Sequence, residues 1–205
     1  MKETVNKTRI AVFVSGGGTN LQALIDAQMR GEIPDGEIVL VVASNPEAYA
    51  LKRAESAGIP AVAVSRKACA TQEIFEDSIC AHLDAHKIDL IVLAGFLSIL
   101  SAKFTARYAD RIVNVHPSLI PAFCGKGFYG LKVHESALAY GVKVTGATVH
   151  LVNEIPDGGR ILLQKAVEIL PNDTPEVLQR RVMEQAEWIL LPQAVQMLSK
   201  EMKER

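Results

Sequence analysis

Arg9-Ile10-Ala11-Val12-Phe13-Val14-Ser15-Gly16-Gly17-Gly18-Thr19-Asn20 is the stretch on which the fold turns. Five of its first six residues are apolar, the pattern of a strand buried on both faces. Three glycines then break the strand, and Thr19 to Met29 continues with helical spacing. The glycines free backbone N–H groups to approach an anion, and the start of the helix favours negative charge. The spacing is not G-x-G-x-x-G, and no lysine-serine follows as in a phosphate-cradling Walker loop. Two readings stay open: the turn holds one phosphate, with Gly17, Gly18, Thr19 and Asn20 as its candidates, or it joins two elements without a ligand.

Outward from this stretch the alternation repeats. Glu37 to Ala43, Ala61 to Val64, Asp89 to Ala94 and Arg111 to Val115 read as strands, while Glu47 to Ala57, Thr71 to His86 and Ser101 to Arg107 read as helices. The expectation is an α/β fold, a doubly wound and mostly parallel sheet covered on both faces. Ligands of such sheets bind beyond the carboxyl ends of the strands, which gathers Ser15 to Asn20, Leu97 to Leu100 and Asn114 to Ser118 around one crevice. After Pro121 come a glycine-rich loop, a helix near Leu131 to Tyr140, and the β-rich runs Val142 to Asn153 and Ile161 to Leu170. A hairpin-like antiparallel addition to the sheet accounts for those two runs. Thr174 to Lys200, opened by Asp173-Thr174-Pro175-Glu176, reads as one long amphipathic C-terminal helix. We expect a single domain over 1–205, with about 8–115 forming a phosphate-binding half and about 116–200 completing the site.

Asn114-Val115-His116-Pro117-Ser118-Leu119-Ile120-Pro121 ends the fifth strand. Side chains at i and i+2 of a strand share a face, so Asn114 and His116 present an amide donor beside a switchable imidazole. That pair either forms an oxyanion site or merely ends a strand. Asp157, in Pro156-Asp157-Gly158-Gly159, is an ordinary turn residue unless its connection folds over the strand ends, where its carboxylate would hold His116 protonated. His150 would then supply further hydrogen bonds, or sit satisfied within a sheet. His82, His86 and His134 are read as solvated surface residues, and Cys124 as an exposed thiol of the glycine-rich loop.

A net charge of -1, from 22 Lys+Arg against 23 Asp+Glu, leaves no basic stripe for nucleic acid. The three cysteines fall in no metal-binding or disulfide spacing, which suggests a reducing compartment, and neither a signal-peptide core nor a membrane span is legible. The expected protein is cytoplasmic, metal-free, and a monomer or homodimer.

Taken in order, S-G-G-G-T-N, L-A-G-F-L-S-I-L, N-V-H-P-S-L-I-P, T-G-A-T-V-H and I-P-D-G-G resemble the phosphoribosylglycinamide formyltransferases of purine biosynthesis, from about Thr8 to Leu198. The resemblance implies formyl transfer from 10-formyltetrahydrofolate, as co-substrate, to the amine of glycinamide ribonucleotide. Asn114, His116 and Asp157 would be catalytic, supported by Thr148 and His150. Gly17, Gly18, Thr19, Asn20 and Ser118 would hold the ribonucleotide, with Glu187 on its ribose hydroxyls. Leu97, Ser98, Ile99, Leu100, Val152, Asn153, Glu154 and Ile155 would line the pteridine pocket, Ser98 mainly through its backbone, and Arg66 would approach the folate glutamate. Trp188 stands where the family more often has histidine, and the loop from Phe123 to Gly130 differs from the family's shorter stretch. The family also suggests a cis bond at Ile120-Pro121. A formyltetrahydrofolate hydrolase usually has an extra N-terminal domain and a methionyl-tRNA formyltransferase a basic C-terminal one, neither of which is legible here. A non-catalytic sensor of a phosphorylated metabolite would leave the Asn, His and Asp unexplained.

Overall fold

A computed structural model describes residues 7–204; Met1 to Asn6, where no leader was legible, lie outside them. The elements are β1 (Thr8–Val14), α1 (Thr19–Met29), β2 (Gly36–Ala43), α2 (Ala50–Ser56), β3 (Ala61–Ala63), α3 (Gln72–Ala85), β4 (Leu90–Leu93), α4 (Ala102–Arg107), β5 (Ile112–His116), α5 (Leu131–Tyr140), β6 (Val144–Leu151), β7 (Ile161–Glu168), α6 (Pro175–Val182) and α7 (Trp188–Lys203). One sheet orders the strands β3-β2-β1-β4-β5-β6-β7. β1 to β5 are parallel, and β6 and β7 add antiparallel, as the two C-terminal runs predict.

Alternation along the strands divides the core. Ile10, Val12 and Val14 pack on one face with Leu21 and Leu24 of α1 and Leu191, Val195 and Leu198 of α7. Ala11 and Phe13 point to the other, against Phe75, Ile79 and Leu83 of α3 and Phe104 of α4. Each such large apolar side chain, fully buried, contributes about 1.5–3 kcal/mol, so both faces must be covered for the sheet to persist. Among the described residues, no helix is long and apolar enough to cross a membrane.

The long C-terminal helix is present, with a π-helical turn over Met183–Glu187 interrupting its α-helical spacing between α6 and α7. Pro192, inside α7, cannot donate to the Trp188 carbonyl, and its ring crowds that turn; the wide turn directly upstream relieves it. The phase shift turns Glu187 inward, where it is 6% exposed.

His134, expected at the surface, is fully buried on α5, and neither ring nitrogen has a partner among the described residues. Burial pushes its imidazole down to about 4, with nearby His116 adding to the shift. The unfolded chain takes up a proton near pH 6.5 and the folded one only near 4, so the stability it carries is full above pH 6.5 and declines as pH falls towards 4. By pH 5 the loss is about 2 kcal/mol. His134→Leu is expected to abolish that share, measured as urea midpoints at pH 7.5 and pH 5; equal losses in both proteins would contradict it.

Candidate active site

β1, β4 and β5 are neighbours, and all run the same way, so the segments that leave them emerge side by side. The direction of sheet building reverses between β1 and β4, the place where open α/β sheets hold ligands. Ser15 links two of these segments: its hydroxyl accepts the Leu97 N–H at 2.8 Å and bonds the Ser44 hydroxyl at 2.6 Å.

β5 carries Val113 and Val115 into the core, so Asn114 and His116 share the opposite face, as the period of two predicts. Register does the rest. Antiparallel pairing sets Asn114 opposite His150 and His116 opposite Thr148, gathering four polar side chains on one face over the C-terminal half of each strand. His150 Nδ1 lies 2.8 Å from the Leu151 carbonyl and therefore carries the hydrogen, leaving Nε2 to accept from Asn114 Nδ2 at 3.1 Å. The Asn114 amide is thereby oriented with its NH2 towards His150, and its second hydrogen remains unspent apart from a long 3.5 Å approach to Asp157. His116 Nε2 donates to the Phe123 carbonyl at 2.9 Å, which leaves Nδ1 facing Asp157 Oδ2 at 3.6 Å. Thr148 is a hub behind this pair. Its hydroxyl donates to the Ser118 carbonyl at 2.7 Å and accepts from the Ile120 N–H and from Gln164 Nε2, fixing the turn beyond His116, in which Ile120–Pro121 is cis.

Asp157 reaches the histidines because the connection between β6 and β7 folds over the strand ends. Asp157 itself is left-handed, with φ of 57°, a conformation that Asp and Asn tolerate better than most residues. Gly159 is required there, since a Cβ would collide with the Leu151 carbonyl. The carboxylate lies 3.6 Å from both His116 Nδ1 and His150 Nε2, and accepts the Gly125 N–H at 2.8 Å. Burial alone would raise its pKa, but the neighbouring His150 and His116 rings and the Gly125 N–H outweigh it and hold the carboxyl below its ordinary value.

Asn114, His150 and Asp157 open onto one crevice, whose walls are Phe96 to Leu100 on one side and Val152 to Glu154 with Pro156 on the other. Leu97 and Ile99 expose large apolar side chains beside it. Ile155 is exposed and outside that lining. Outside that lining, Gly18 caps α1 in the left-handed conformation, with no side chain bonding the first N–H groups of the helix. A side chain at Gly18 would strike Ala50 as well, so this position demands glycine. Asn20 turns its side chain inward: Nδ2 donates to Glu187 Oε2 at 2.7 Å. Burial pushes the Glu187 carboxyl up to about 7 against the pull of that amide.

Other candidates are placed elsewhere. Ser118 is fully buried, its hydroxyl donating to the Ala122 carbonyl. Arg66 donates to Gln72 and the Cys69 carbonyl rather than facing the crevice. Cys124, expected to be exposed, is half-buried and donates to the Pro121 carbonyl, and burial together with the Asp157 charge raises its thiol, the opposite of activation. Reasoning from residue types missed the Phe123 carbonyl and the Gly125 N–H, for which a backbone leaves no sequence signal.

An amide donor, an imidazole and a carboxylate converging beside a crevice can stabilise a developing oxyanion and accept the proton released by an attacking amine. That chemistry on a mostly parallel sheet describes an acyl-group transferase, and residues 8–195 match the pattern of the formyl transferases. The chain belongs to the formyl transferase family. It is 44% identical over 177 residues to the phosphoribosylglycinamide formyltransferase of Haemophilus influenzae, covering 86% of this chain and 81% of that one. It is also 42% identical over 193 residues to the trifunctional purine biosynthetic protein adenosine-3 of Drosophila melanogaster, covering 94% of this chain but spanning only 14% of that protein's length. Among solved structures, phosphoribosylglycinamide formyltransferase from Brucella melitensis superposes with a TM-score of 0.85 at 44% identity, covering 94% of this chain and 96% of that one. Glycinamide ribonucleotide transformylase 1 from Symbiobacterium toebii gives 0.89 at 37% identity, covering 96% and 89%.

Proposed function

We propose that this protein transfers the formyl group of 10-formyltetrahydrofolate to the amine of glycinamide ribonucleotide, giving formylglycinamide ribonucleotide and tetrahydrofolate. The observation that carries this reading is the convergence of Asn114, His116, His150 and Asp157 around the paired face of β5 and β6, beside a crevice walled by Leu97 to Leu100 and Val152 to Glu154. In the proposed reaction the amine nitrogen attacks the formyl carbon, a C–N bond forms, and negative charge develops on the formyl oxygen. Asn114 Nδ2–H and the His116 ring stabilise that charge. Asp157 accepts the surplus proton of the amine through water, the bond to folate N10 breaks, and N10 takes up a proton. Neither a covalent nucleophile nor a metal is needed for this step. Holding both substrates in one crevice adds the entropic advantage of proximity.

The walls at Leu97 to Leu100 and Val152 to Glu154 are assigned to the pteridine, the Gly17 to Asn20 turn to the phosphate, and Glu187 to the ribose hydroxyls. A single domain then carries both halves of the site, acting on small molecules in a reducing compartment that suits three free cysteines. The test is the absorbance change as 10-formyltetrahydrofolate becomes tetrahydrofolate, followed with and without glycinamide ribonucleotide. Conversion only with the ribonucleotide is expected; conversion without it indicates a hydrolase, and none in either case indicates a binding module.

Ribose hydroxyls donate to an ionised carboxylate, so the ribonucleotide should bind the deprotonated form of Glu187. With the carboxyl pushed up to about 7, its ionised fraction rises about tenfold between pH 6 and pH 8. The dissociation constant of the ribonucleotide is expected to fall by a similar factor over that range, beyond whatever Glu187→Gln retains from titration of the ligand itself. The same pH dependence in both proteins would remove Glu187 from the ribose contact.

A further inference from the structure

We propose that Gln72 and Glu76 of α3, which stand behind the crevice wall, are positioning residues for the folate co-substrate. They hold residues 97–101 in the shape that the pteridine pocket requires, an inference that rests on the function proposed above. Glu76 is buried, an unfavourable place for a carboxylate unless its oxygens are satisfied. Both are, largely by one residue of the wall: Oε1 accepts the Ser101 N–H at 2.6 Å, and Oε2 accepts the Ser101 hydroxyl at 2.5 Å. Gln72 Nε2 donates to Glu76 Oε1 at 2.7 Å and to the Ile99 carbonyl at 3.0 Å. Gln72 Oε1 in turn accepts Arg66 Nε–H at 2.9 Å. The result is a continuous polar chain, Arg66 to Gln72 to Glu76 to Ser101, with a cation at one end and a carboxylate near the other. From the opposite side, Ser15 pins the Leu97 N–H.

The wall needs such pins. It is irregular in backbone, enters through Gly95 at φ of 78°, and turns Leu97 and Ile99 to solvent with 62% and 66% of their surface exposed. Leu100 and Phe96 tie the segment to the core, but side chains placed like Leu97 and Ile99 gain little from packing, so the exposed stretch takes its shape from its hydrogen bonds. Leu97, Ile99 and Ser101 are pinned in turn, and Ser98 between the first two lines the crevice. A folate that had to order this wall for itself would bind more weakly, because the ordering cost would be subtracted from its affinity.

Gln72→Met keeps side-chain length and helix propensity but removes the amide. The expected result is a rise of about tenfold in KM for 10-formyltetrahydrofolate, matching the loss of a hydrogen-bonded anchor. In the same variant kcat and KM for the ribonucleotide should stay within twofold, and the melting temperature within a few degrees. Glu76→Gln, which still accepts the Ser101 N–H, should show the smaller rise of the two. Calorimetric titration with 10-formyl-5,8-dideazafolate, a non-transferring analogue under these conditions when the ribonucleotide is omitted, reads binding directly. An unchanged folate KM in Gln72→Met, or equal rises in KM for both substrates, would overturn the positioning role while leaving the reaction intact. No binding of the analogue by the unmodified protein would overturn the proposed function and this inference with it.

Discussion

Replacing Asn114 with alanine is expected to lower kcat by about 10²- to 10³-fold, the usual consequence of removing one oxyanion donor. The amide is held before any substrate arrives: His150 Nε2 accepts one of its hydrogens at 3.1 Å, and His150 is itself fixed by its Nδ1–H on the Leu151 carbonyl. A donor aimed in advance costs no reorganisation when charge develops on the formyl oxygen. Because that charge is largely absent in the ground state, the dissociation constant of the ribonucleotide should change only a few-fold. Truncation also leaves the nearly buried His150 Nε2 without its partner, at a stability cost of about 1–3 kcal/mol. Turnover should therefore be compared at a temperature where melting curves show both proteins fully folded. A kcat within threefold of the unmodified protein would end the assignment of Asn114.

Asp157→Asn is the second large effect, a fall in kcat of about 10²- to 10⁴-fold, the range for loss of a single acid/base group. The substitution is a clean one. Asparagine accepts the left-handed backbone at position 157 and can still receive the Gly125 N–H through its amide oxygen, so the turn is expected to persist. What disappears is the negative charge 3.6 Å from two imidazoles. The carboxyl of Asp157 is held below its ordinary value, so at neutral pH it is an acceptor already deprotonated and ready for the amine's proton. The pH-rate profile of the variant should change shape as well as height. A profile merely scaled down would take Asp157 out of the proton inventory.

Much of the architecture was legible from local signals. Apolar runs of strand length, alternating with helical spacing, announced the doubly wound sheet, and glycine or proline after β1 and β5 marked where the strands would release their polar residues. The period of two placed Asn114 and His116 on one face before any partner was known. Other features were not legible. The helical pattern after Thr174 ran unbroken through the π turn, because spacing statistics see which residues are apolar but not the extra residue that turns Glu187 inward. His134 read as solvated because burial depends on what another element lays over it.

From the chain alone came the order of strands and helices, the polar triad and two of the segments bordering the crevice, all encoded by neighbours in sequence through periodicity, turn chemistry and capping. Tertiary structure alone decided that His150 stands opposite Asn114, that Asp157 folds back over both histidines, and that the Phe123 carbonyl and Gly125 N–H complete their surroundings. The physical reason is that strand register and loop docking are set by the whole packed core, and backbone donors and acceptors are identical at nearly every position until the fold chooses which of them to use.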